Sequence, residues 1–219
     1  MWRFLTNKTT MVTADDALPG REAPVLTSPF FHRVLGHRLD KTFEGAETVY
    51  FAMGCFWGAE RIFWQLDGVL LTSVGYMGGF TPNPTYEEVC SAQTGHAETV
   101  QVVYDPETIT FTQLLQAFFE NHDPTQGPRQ GNDVGTQYRS AIYTTTAEQN
   151  STAAAFIAEV QPRFTERGFG PITTELGTAG AYYLAEDYHQ QYLDENPGGY
   201  CNHGPNGVSC QVGVIELGE

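Results

Sequence analysis

The chain has 219 residues, enough for one domain that buries a hydrophobic core without help from disulfides or metal ions. Its 26 acidic residues outnumber its 11 lysine and arginine residues, and the net charge of −15 disfavours binding to nucleic acid or to anionic membranes. Hydrophobic residues make up 41% of the chain and aromatic residues 13%, a mixture that excludes collagen, coiled coils and extensive disorder.

The apolar segments are all short. The N-terminal residues contain no stretch of signal-peptide length, and no apolar run reaches the length of about 18 residues that a membrane-spanning helix needs. We therefore expect a cytoplasmic protein without membrane contact. In that compartment four cysteines do not form a disulfide scaffold, and they indicate a metal site, catalysis or simple burial. They are Cys55, Cys90, Cys201 and Cys210.

Residues 1–45 are predicted to form an irregular N-terminal arm, because Pro and Gly interrupt every hydrophobic period there. In chain order, the following residues predict a strand at 48–53, a helix at 55–66, a strand at 69–76, a short helix at 84–91, a strand at 98–104, a helix at 111–121 capped by Thr110, a polar loop at 124–135, a strand at 138–144, a helix at 146–164 that starts with a capping box, a strand at 172–175 and a helix at 185–195.

These elements predict the class of the fold. Helices alternate with short and unevenly spaced strands, a pattern that favours an α+β two-layer sandwich over a long parallel sheet. The pattern does not specify the strand order. Residues 46–219 are expected to form a single domain, in which the Gly- and Pro-rich segment 197–213 is a mobile tail.

Cys55 falls where the first strand ends and the first helix begins, within Gly54-Cys55-Phe56-Trp57-Gly58. The unpaired N–H groups and the dipole of a helix N-terminus stabilise an anion by up to about 2 kcal/mol, which would lower a thiol pKa from about 8.5 toward 7. We therefore expect a nucleophilic thiolate at neutral pH. The alternative is a small buried side chain beneath the helix, which requires neither the flanking glycines nor the aromatic pair.

This motif resembles the signature of the A-type peptide-methionine sulfoxide reductases. Further blocks resemble the same family in the expected order, and they are Gly75–Gly79, Pro82–Tyr86, Thr94–Glu98, Asn121–Pro124, Gly131–Asp133, Gly135–Ser140 and Tyr188–Tyr192. The resemblance extends from about residue 48 to residue 210, too far for chance agreement. It implies a catalytic domain with a ferredoxin-like core that reduces the S epimer of methionine sulfoxide, bound in oxidised proteins or free.

The resemblance also implies the roles of the site residues. Cys55 would attack the sulfoxide sulfur, and Phe56 and Trp57 would bind the S-methyl group. The side chains implied to contact the sulfoxide oxygen, or to support those contacts, are Glu98, Tyr86, Tyr138 and Asp133. Without the resemblance, the aromatic residues would be interpreted as core packing and Glu98 as the exposed side of a strand.

An electrostatic argument limits the charge state of Glu98. A carboxylate beside a thiolate would raise both pKa values and oppose the nucleophile. A carboxyl group buried among aromatic rings would instead stay protonated and donate to the sulfoxide oxygen, as a general acid. We therefore predict that Glu98 is neutral in the free protein.

Oxygen transfer would leave Cys55 as a sulfenic acid, which condenses readily with a nearby thiol. The resemblance implies that Cys201 resolves it first and that Cys210 then passes the disulfide to thioredoxin, with no bound cofactor or metal. The turn residues between these two cysteines allow their ends to approach within disulfide range. Eight residues separate them, one more than in the commonest family arrangement, so the order of exchange stays open.

Other functions would use the same residues differently. A structural zinc site would use Cys201, His203 and Cys210 with Cys90 or His96, but the chain has no pair of cysteines at zinc-ligand spacing. A thiol peroxidase or general disulfide oxidoreductase would share the nucleophile and the resolving thiol, but the chain lacks a C-x-x-C pair. A non-enzymatic interaction protein would leave the cysteines unexplained.

The remaining reactive side chains are expected to be structural. Cys90 is interpreted as a buried, unreactive thiol on a short helix. His96, His122 and His189 lie in blocks that resemble the family and are interpreted as structural residues or supports for the site, because sulfoxide reduction needs no imidazole. We expect the protein to be a monomer.

Overall fold

A computed structural model describes residues 8–26 and 30–210 of the chain. Its strands and helices follow in the order β1 (Glu47–Met53), α1 (Phe56–Trp64), β2 (Val69–Met77), α2 (Tyr86–Cys90), β3 (Ala97–Tyr104), α3 (Phe111–Glu120), β4 (Arg129–Gln130), β5 (Asp133–Val134), β6 (Ser140–Thr144), α4 (Ala147–Glu166), β7 (Glu175–Thr178), β8 (Tyr183–Leu184) and α5 (Tyr192–Glu195). Two 3-10 turns lie at Thr136–Tyr138 and Asp187–His189.

Six of these strands form one sheet in the order β7-β6-β1-β3-β2-β8. Neighbouring strands are antiparallel except for the parallel pair β6 and β7, while β4 and β5 form a separate two-stranded hairpin. The strands β1 and β2 are consecutive in the chain, but β3 lies between them in the sheet. The order of the strands along the chain therefore does not predict their order in the sheet.

The alternation of side chains along the central strands divides the core into two parts. On β1, Phe51 and its alternate neighbours face the helices, whereas Ala52 faces a smaller cluster on the opposite side of the sheet. Phe51 stacks on Phe63 of α1 at 4.8 Å and contacts Phe118 of α3 at 5.2 Å. Each such aromatic pair adds about 0.5–1.5 kcal/mol beyond the burial of area, so these rings fix both helices on β1. The predicted α+β class is confirmed, while the ferredoxin-like core stays a prediction.

The helix starts follow the predicted local chemistry. Thr110 caps α3 through a complete capping box with Gln113, as predicted. At α4, the Thr146 hydroxyl accepts from the backbone N–H of Gln149. The side-chain oxygen of Gln149, however, accepts from the backbone N–H of Thr145 instead of that of Thr146. The predicted capping box is therefore only half formed, because the buried Gln149 amide also donates to the hydroxyl of Tyr104.

The predicted helix at 185–195 is wrong over most of its length. Only α5 is α-helical there, because Gln191 adopts a left-handed conformation with φ of 49°. In that conformation its backbone N–H and its side-chain amide both donate to the buried Glu60 carboxyl, at 2.8 and 2.7 Å. Burial raises the pKa of Glu60 to about 7, and the hydrogen bonds from Gln191 oppose that rise. A long-range polar contact thus overrides the local helical pattern.

Three other differences concern short strands. The predicted strand at 172–175 is shifted to β7, which pairs with β6 in parallel. The polar loop predicted at 124–135 contains the hairpin β4–β5. Strand β8, which the sequence pattern did not predict, pairs with β2 at the edge of the sheet. Segments of two to four residues depend on their partners rather than on local periodicity, so the sequence pattern does not reveal them.

The described part of the predicted arm has no helix and packs against the domain. The Leu18 N–H donates to the Gln93 carbonyl over 3.0 Å, and Arg21 forms an ion pair with Glu88. Residues 1–7, 27–29 and 211–219 lie outside the described residues, and they include the end of the predicted tail. Within the part of the chain that is described, no helix has the length and apolarity to cross a membrane.

Candidate active site

Cys55 is the N-cap residue of α1, two residues after the end of β1. Gly54 makes this turn with φ of 100°, and a Cβ at that position would lie 2.6 Å from the Cγ of Gln130. Because the backbone needs both the positive φ and the missing side chain, glycine is required there. Cys55 is only 7% exposed, so the predicted position at a strand-to-helix turn is confirmed in a more buried setting than expected.

The predicted resting thiolate is wrong. Burial raises the pKa of Cys55 well above its usual value, and the charge of Glu98 raises it further. A backbone hydrogen bond from Trp57 acts in the opposite direction but does not compensate. Burial therefore outweighs the stabilisation by the helix N-terminus, and the resting side chain is a thiol.

Glu98 lies at the start of β3, on the helix-facing side of the sheet. It is 1% exposed, and its Oε2 accepts the backbone N–H of Phe56 over 3.0 Å. Burial raises the pKa of Glu98 to about 8, a rise that the bond from Phe56 opposes and the charge of Asp133 supports. The prediction of a neutral carboxyl is confirmed at neutral pH, and the alternative of an exposed side chain is wrong.

Phe56 and Trp57 form an aromatic wall beside Cys55. The Trp57 ring stacks on Tyr192 at 3.9 Å and donates its indole N–H to Nδ1 of His189 over 3.0 Å. The His189 ring also contacts Phe56 at 5.1 Å and Tyr86 at 4.5 Å. His189, interpreted from the sequence as a support, therefore lies at the centre of this wall.

The state of His189 follows from its contacts. Because the indole N–H is only a donor, Nδ1 is the acceptor and the proton of the neutral ring is on Nε2. Burial lowers the pKa of His189 to about 4, so the ring is neutral at neutral pH. Nε2 is buried without a hydrogen-bond partner among the described residues.

Tyr86 and Tyr138 reach the same region from α2 and from the 3-10 turn after β5. Burial raises the pKa of each phenol, and the charge of Glu98 raises both further. Both hydroxyl groups therefore stay protonated and can donate hydrogen bonds. The structure brings these two tyrosines and Glu98 together, as the family resemblance implied, although their roles stay predictions.

Asp133 makes contacts that the sequence did not indicate. Its carboxylate accepts the Tyr200 hydroxyl at 3.0 Å and the Asn202 amide at 2.8 Å. Burial raises the pKa of Asp133, and these two hydrogen bonds lower it. Asp133 thus holds the residues on either side of Cys201.

Cys201 lies over α1, close to Cys55. Its sulfur accepts from Nη2 of Arg61 at 3.2 Å, and a Cβ at Gly58 would lie 2.7 Å from that sulfur. The charge of Cys201 is among those that raise the pKa of Cys55, which places the two sulfurs within electrostatic reach. All four cysteines are free thiols, so the structure represents the reduced chain.

Cys210 lies apart from this group, in the hydrophobic core. It is fully buried beside Val208, and its backbone N–H donates to Oε1 of Glu120 over 2.7 Å. Burial raises the pKa of Cys210 to about 12, the charge of Glu120 adds to that, and Arg163 opposes it. The tail that the sequence predicts to be mobile is therefore docked as far as Cys210 in the reduced chain.

The ligands of the alternative zinc site do not assemble in the described residues. No group of three histidine, cysteine or acidic side chains lies together as a metal site in residues 8–26 and 30–210. His96 instead contacts backbone atoms, with Nδ1 accepting from Gly79 and Nε2 bonding to the Thr81 carbonyl at 2.7 Å. These contacts agree with the structural role expected for His96.

Comparison with known proteins identifies the family. A family model described as peptide methionine sulfoxide reductase matches residues 47–212. Peptide methionine sulfoxide reductase MsrA of Salinispora arenicola is 61% identical over 210 residues, which cover 94% of this chain and 95% of that protein. The solved structure of methionine sulfoxide reductase A of Corynebacterium diphtheriae aligns with a TM-score of 0.84 at 50% identity, over 92% of this chain and 98% of that one.

A more distant solved relative is Mxr1 from Saccharomyces cerevisiae. Its reduced form aligns with a TM-score of 0.69 at 36% identity, over 74% of this chain and 92% of that one. Mxr1 has also been solved in complex with Trx2, where the aligned residues are 22% identical, the TM-score is 0.52, and the coverage is 76% of this chain and 95% of that one. On the family match and the high identities, this chain belongs to the peptide methionine sulfoxide reductases, a family of oxidoreductases.

Proposed function

We propose that this chain reduces the S epimer of methionine sulfoxide, free or in oxidised proteins, by oxygen transfer to Cys55. The observation that carries the proposal is the buried, protonated Glu98, which is hydrogen-bonded to the residue after Cys55 and lies next to an aromatic wall. Sulfoxide reduction needs a nucleophile, a proton donor and an apolar slot for the methyl group. Cys55, Glu98 and the ring of Trp57 supply these three.

The first step balances within the site. The Cys55 sulfur attacks the sulfoxide sulfur while Glu98 gives its proton to the sulfoxide oxygen, and the carboxylate so formed takes the proton of the Cys55 thiol. The bond formed between the two sulfurs and the S–O bond of the substrate then break, while the oxygen forms a bond to the Cys55 sulfur. The products are a sulfenic acid on Cys55 and methionine. Because Oε2 of Glu98 accepts from Phe56, Oε1 is the oxygen that would carry this proton. Tyr86 and Tyr138 would donate to the same sulfoxide oxygen.

The raised pKa of Cys55 fits this order of events. A thiol that stays protonated at rest reacts slowly with peroxides and other general oxidants, because the thiolate is the reactive form. Its proton leaves only when the sulfoxide oxygen accumulates charge and Glu98 delivers its own proton. The arrangement thus favours methionine sulfoxide over hydrogen peroxide, which separates it from a thiol peroxidase.

We further propose a relay that returns Cys55 to the thiol. Cys201 attacks the sulfenic sulfur to give a Cys55–Cys201 disulfide and water, and Cys210 then exchanges with it to give a Cys201–Cys210 disulfide. A thioredoxin-type dithiol reduces that disulfide. The complex of the relative Mxr1 with Trx2 supports such a reductant. The monomeric state and the cytoplasmic location stay predictions.

Mass mapping of disulfides tests the function directly. The reduced chain is treated with one equivalent of each methionine sulfoxide epimer, without reductant, and the methionine formed is measured alongside. We expect one equivalent of methionine and a disulfide at Cys201 with the S epimer alone. Cys55→Ser should abolish both products, while the matched control Cys90→Ser should keep them. Equal reaction with both epimers, or methionine formation by Cys55→Ser, would contradict the proposal.

A further inference from the structure

His203 lies in the C-terminal tail, two residues after Cys201, with its ring against the end of β1. Its Nε2 bonds to the carbonyl oxygen of Met53 over 2.6 Å. Because a carbonyl oxygen only accepts, Nε2 carries the ring proton and Nδ1 carries a lone pair. Nδ1 is buried and has no hydrogen-bond partner among the residues that the structure describes. An unpaired buried acceptor of this kind costs about 1–3 kcal/mol, so it calls for a physical reason.

The lone pair of His203 and the sulfur of Cys201 border the same small space above Gly58. A Cβ at Gly58 would lie 2.4 Å from Nδ1 of His203 and 2.7 Å from Sγ of Cys201. Only glycine leaves that space open to both atoms. In the reduced chain the Cys201 thiol donates to the carbonyl oxygen of His203 at 3.9 Å, so its proton already lies on the side of residue 203.

Burial, rather than the charged and titratable groups nearby, is the main reason why the ring of His203 is neutral. These groups are Arg61 of α1, His122 after α3 and the Cys201 thiol. Burial lowers the pKa of His203 to about 4, its bond to Met53 opposes this, and the charge of Arg61 adds to it. Burial likewise lowers the pKa of His122 to about 3, so that ring is neutral too. The Nδ1 lone pair of His203 is thus available at neutral pH.

We propose that His203 is the base that accepts the proton of Cys201 while this thiol resolves the sulfenic acid of Cys55. The proposal rests on the relay proposed above. In this step an S–S bond forms between Cys201 and Cys55, and the S–O bond of the sulfenic acid breaks. The proton passes from Cys201 to Nδ1 and then to the departing hydroxide, which leaves as water. Cys201 is oxidised and the Cys55 sulfur is reduced, so no other oxidant is needed.

Arg61 has a complementary part in the same step. Its guanidinium already donates to the Cys201 sulfur at 3.2 Å, and this contact becomes a charge-assisted hydrogen bond as negative charge develops on that sulfur. The same positive charge disfavours a lasting imidazolium at His203. An imidazolium at His203 is therefore short-lived, and it gives its proton to the departing hydroxide.

The test distinguishes His203 acting as a base from His203 only holding the tail against the Met53 carbonyl. His203→Gln keeps an amide N–H that can reach the Met53 carbonyl but removes the Nδ1 lone pair, whereas His203→Ala removes both. All variants carry Cys210→Ser, so that the Cys55–Cys201 disulfide accumulates. After mixing with one equivalent of methionine S-sulfoxide, quenched samples are assayed for methionine, for sulfenic acid trapped by dimedone, and for the disulfide, between pH 6 and pH 8.5. His37→Gln is the matched control.

With His203 present, we expect the rate constant for conversion of the sulfenic acid to the disulfide to vary little across this pH range. In His203→Gln it should rise about tenfold per pH unit, because without a base only the ionised thiol attacks, and trapped sulfenic acid should increase at low pH. Added imidazole should restore the rate in His203→Ala, and His37→Gln should match the parent.

Two results would overturn the base role. One is a His203→Gln variant that resolves as fast as the parent with the same flat pH profile. The other is a His203→Gln variant slowed equally at every pH, which would indicate anchoring alone. A separate variant, Cys201→Ser, tests the relay itself. If it still removes sulfenic acid as a disulfide at the parent rate, the relay is wrong and the role of His203 falls with it.

Discussion

The indole N–H of Trp57 donates to Nδ1 of His189 across 3.0 Å, and the two residues are 132 positions apart in the chain. The same indole stacks on Tyr192 at 3.9 Å. One face and one edge of the Trp57 ring are thereby fixed, although the residue is partly exposed. Because tertiary contacts set this ring before any substrate arrives, the cost of ordering it does not reduce the affinity for the sulfoxide.

Breaking this contact should weaken substrate binding. In His189→Phe the Trp57 N–H loses its acceptor, and we expect KM for methionine sulfoxide to rise about tenfold, the equivalent of one lost hydrogen bond. His189→Asn places an amide oxygen near the position of Nδ1 and should recover much of the loss. Steady-state kinetics of the three proteins give the measurement. Equal KM values for His189→Phe and the parent would show that Trp57 is held by Tyr192 alone.

The proton carried by Glu98 should determine the pH dependence of oxygen transfer. Glu98→Gln keeps an oxygen for the Phe56 N–H but has no acidic proton, so we expect the single-turnover rate to fall by about 10²–10⁴. In the parent, the rate should decline as the pH rises through about 8, where Glu98 ionises. Quenched-flow measurement of methionine between pH 6 and pH 9 checks both points. A rate that rises across this range would mean that ionisation of Cys55, not the proton of Glu98, limits the step.

Glu98 should also leave a signature in protein stability. Its pKa is raised on folding from 4.5 to about 8, so the folded state binds this proton more tightly than the unfolded state does. The stabilisation is complete below the unfolded pKa and is lost as the pH rises through the folded pKa. Between these values the free energy of unfolding of the parent should fall by about 1.4 kcal/mol per pH unit relative to Glu98→Gln. Urea denaturation of both proteins at several pH values gives the comparison, and parallel stability curves would exclude a raised pKa.

A methyl group at Gly58 should separate the two halves of the reaction. Gly58→Ala places a carbon against Nδ1 of His203 and the Cys201 sulfur, so the tail must move away from α1. We expect methionine formation to continue while sulfenic acid persists, with a lifetime at least about tenfold longer, because the loss of close positioning slows an intramolecular step. Dimedone trapping measures that lifetime. Gly180→Ala, which meets open space, is the control and should resemble the parent.

The longer elements could be predicted from the sequence because their periodicity reflects burial. The strand at 48–53 and the helix at 111–121 differ from β1 and α3 by a residue at the ends. The wrong prediction of a helix at 185–195 shows what hydrophobic periodicity does not reveal. Its break at Gln191 depends on the buried carboxyl of Glu60, which no local pattern contains. Polar contacts between distant segments are invisible to periodicity.

The candidate site divides in a similar way. The motif around Cys55 and the block that ends at Glu98 could be found from residue identity, and the argument about charge predicted the neutral carboxyl correctly. At Cys55 the predicted thiolate was wrong, because burial raises the thiol pKa more than the helix dipole lowers it. The burial of a residue at a helix start depends on the segments that pack over it, and the sequence pattern around Cys55 does not indicate them.

The sequence indicated His189 only as a structural residue or support, and His203 only as a ligand of the alternative zinc site, because a histidine in a sequence carries no mark of its partners. The Trp57 N–H selects the tautomer of one ring, and the Met53 carbonyl selects that of the other. Neither partner is near in sequence. Only three-dimensional contacts distinguish a histidine with an unused nitrogen from one that is fully bonded.

The burial of Cys210 means that each catalytic turnover requires a conformational change. In the proposed relay this thiol must leave the core together with Val208 and give up the contact of its backbone with Glu120. Every turnover then includes a brief local opening, whose free-energy cost is drawn from the stability of the domain itself. Substitutions that improve the packing around Cys210 would raise the thermal stability of the protein and slow the return of Cys55 to the thiol. Stability and turnover rate therefore oppose each other at this site.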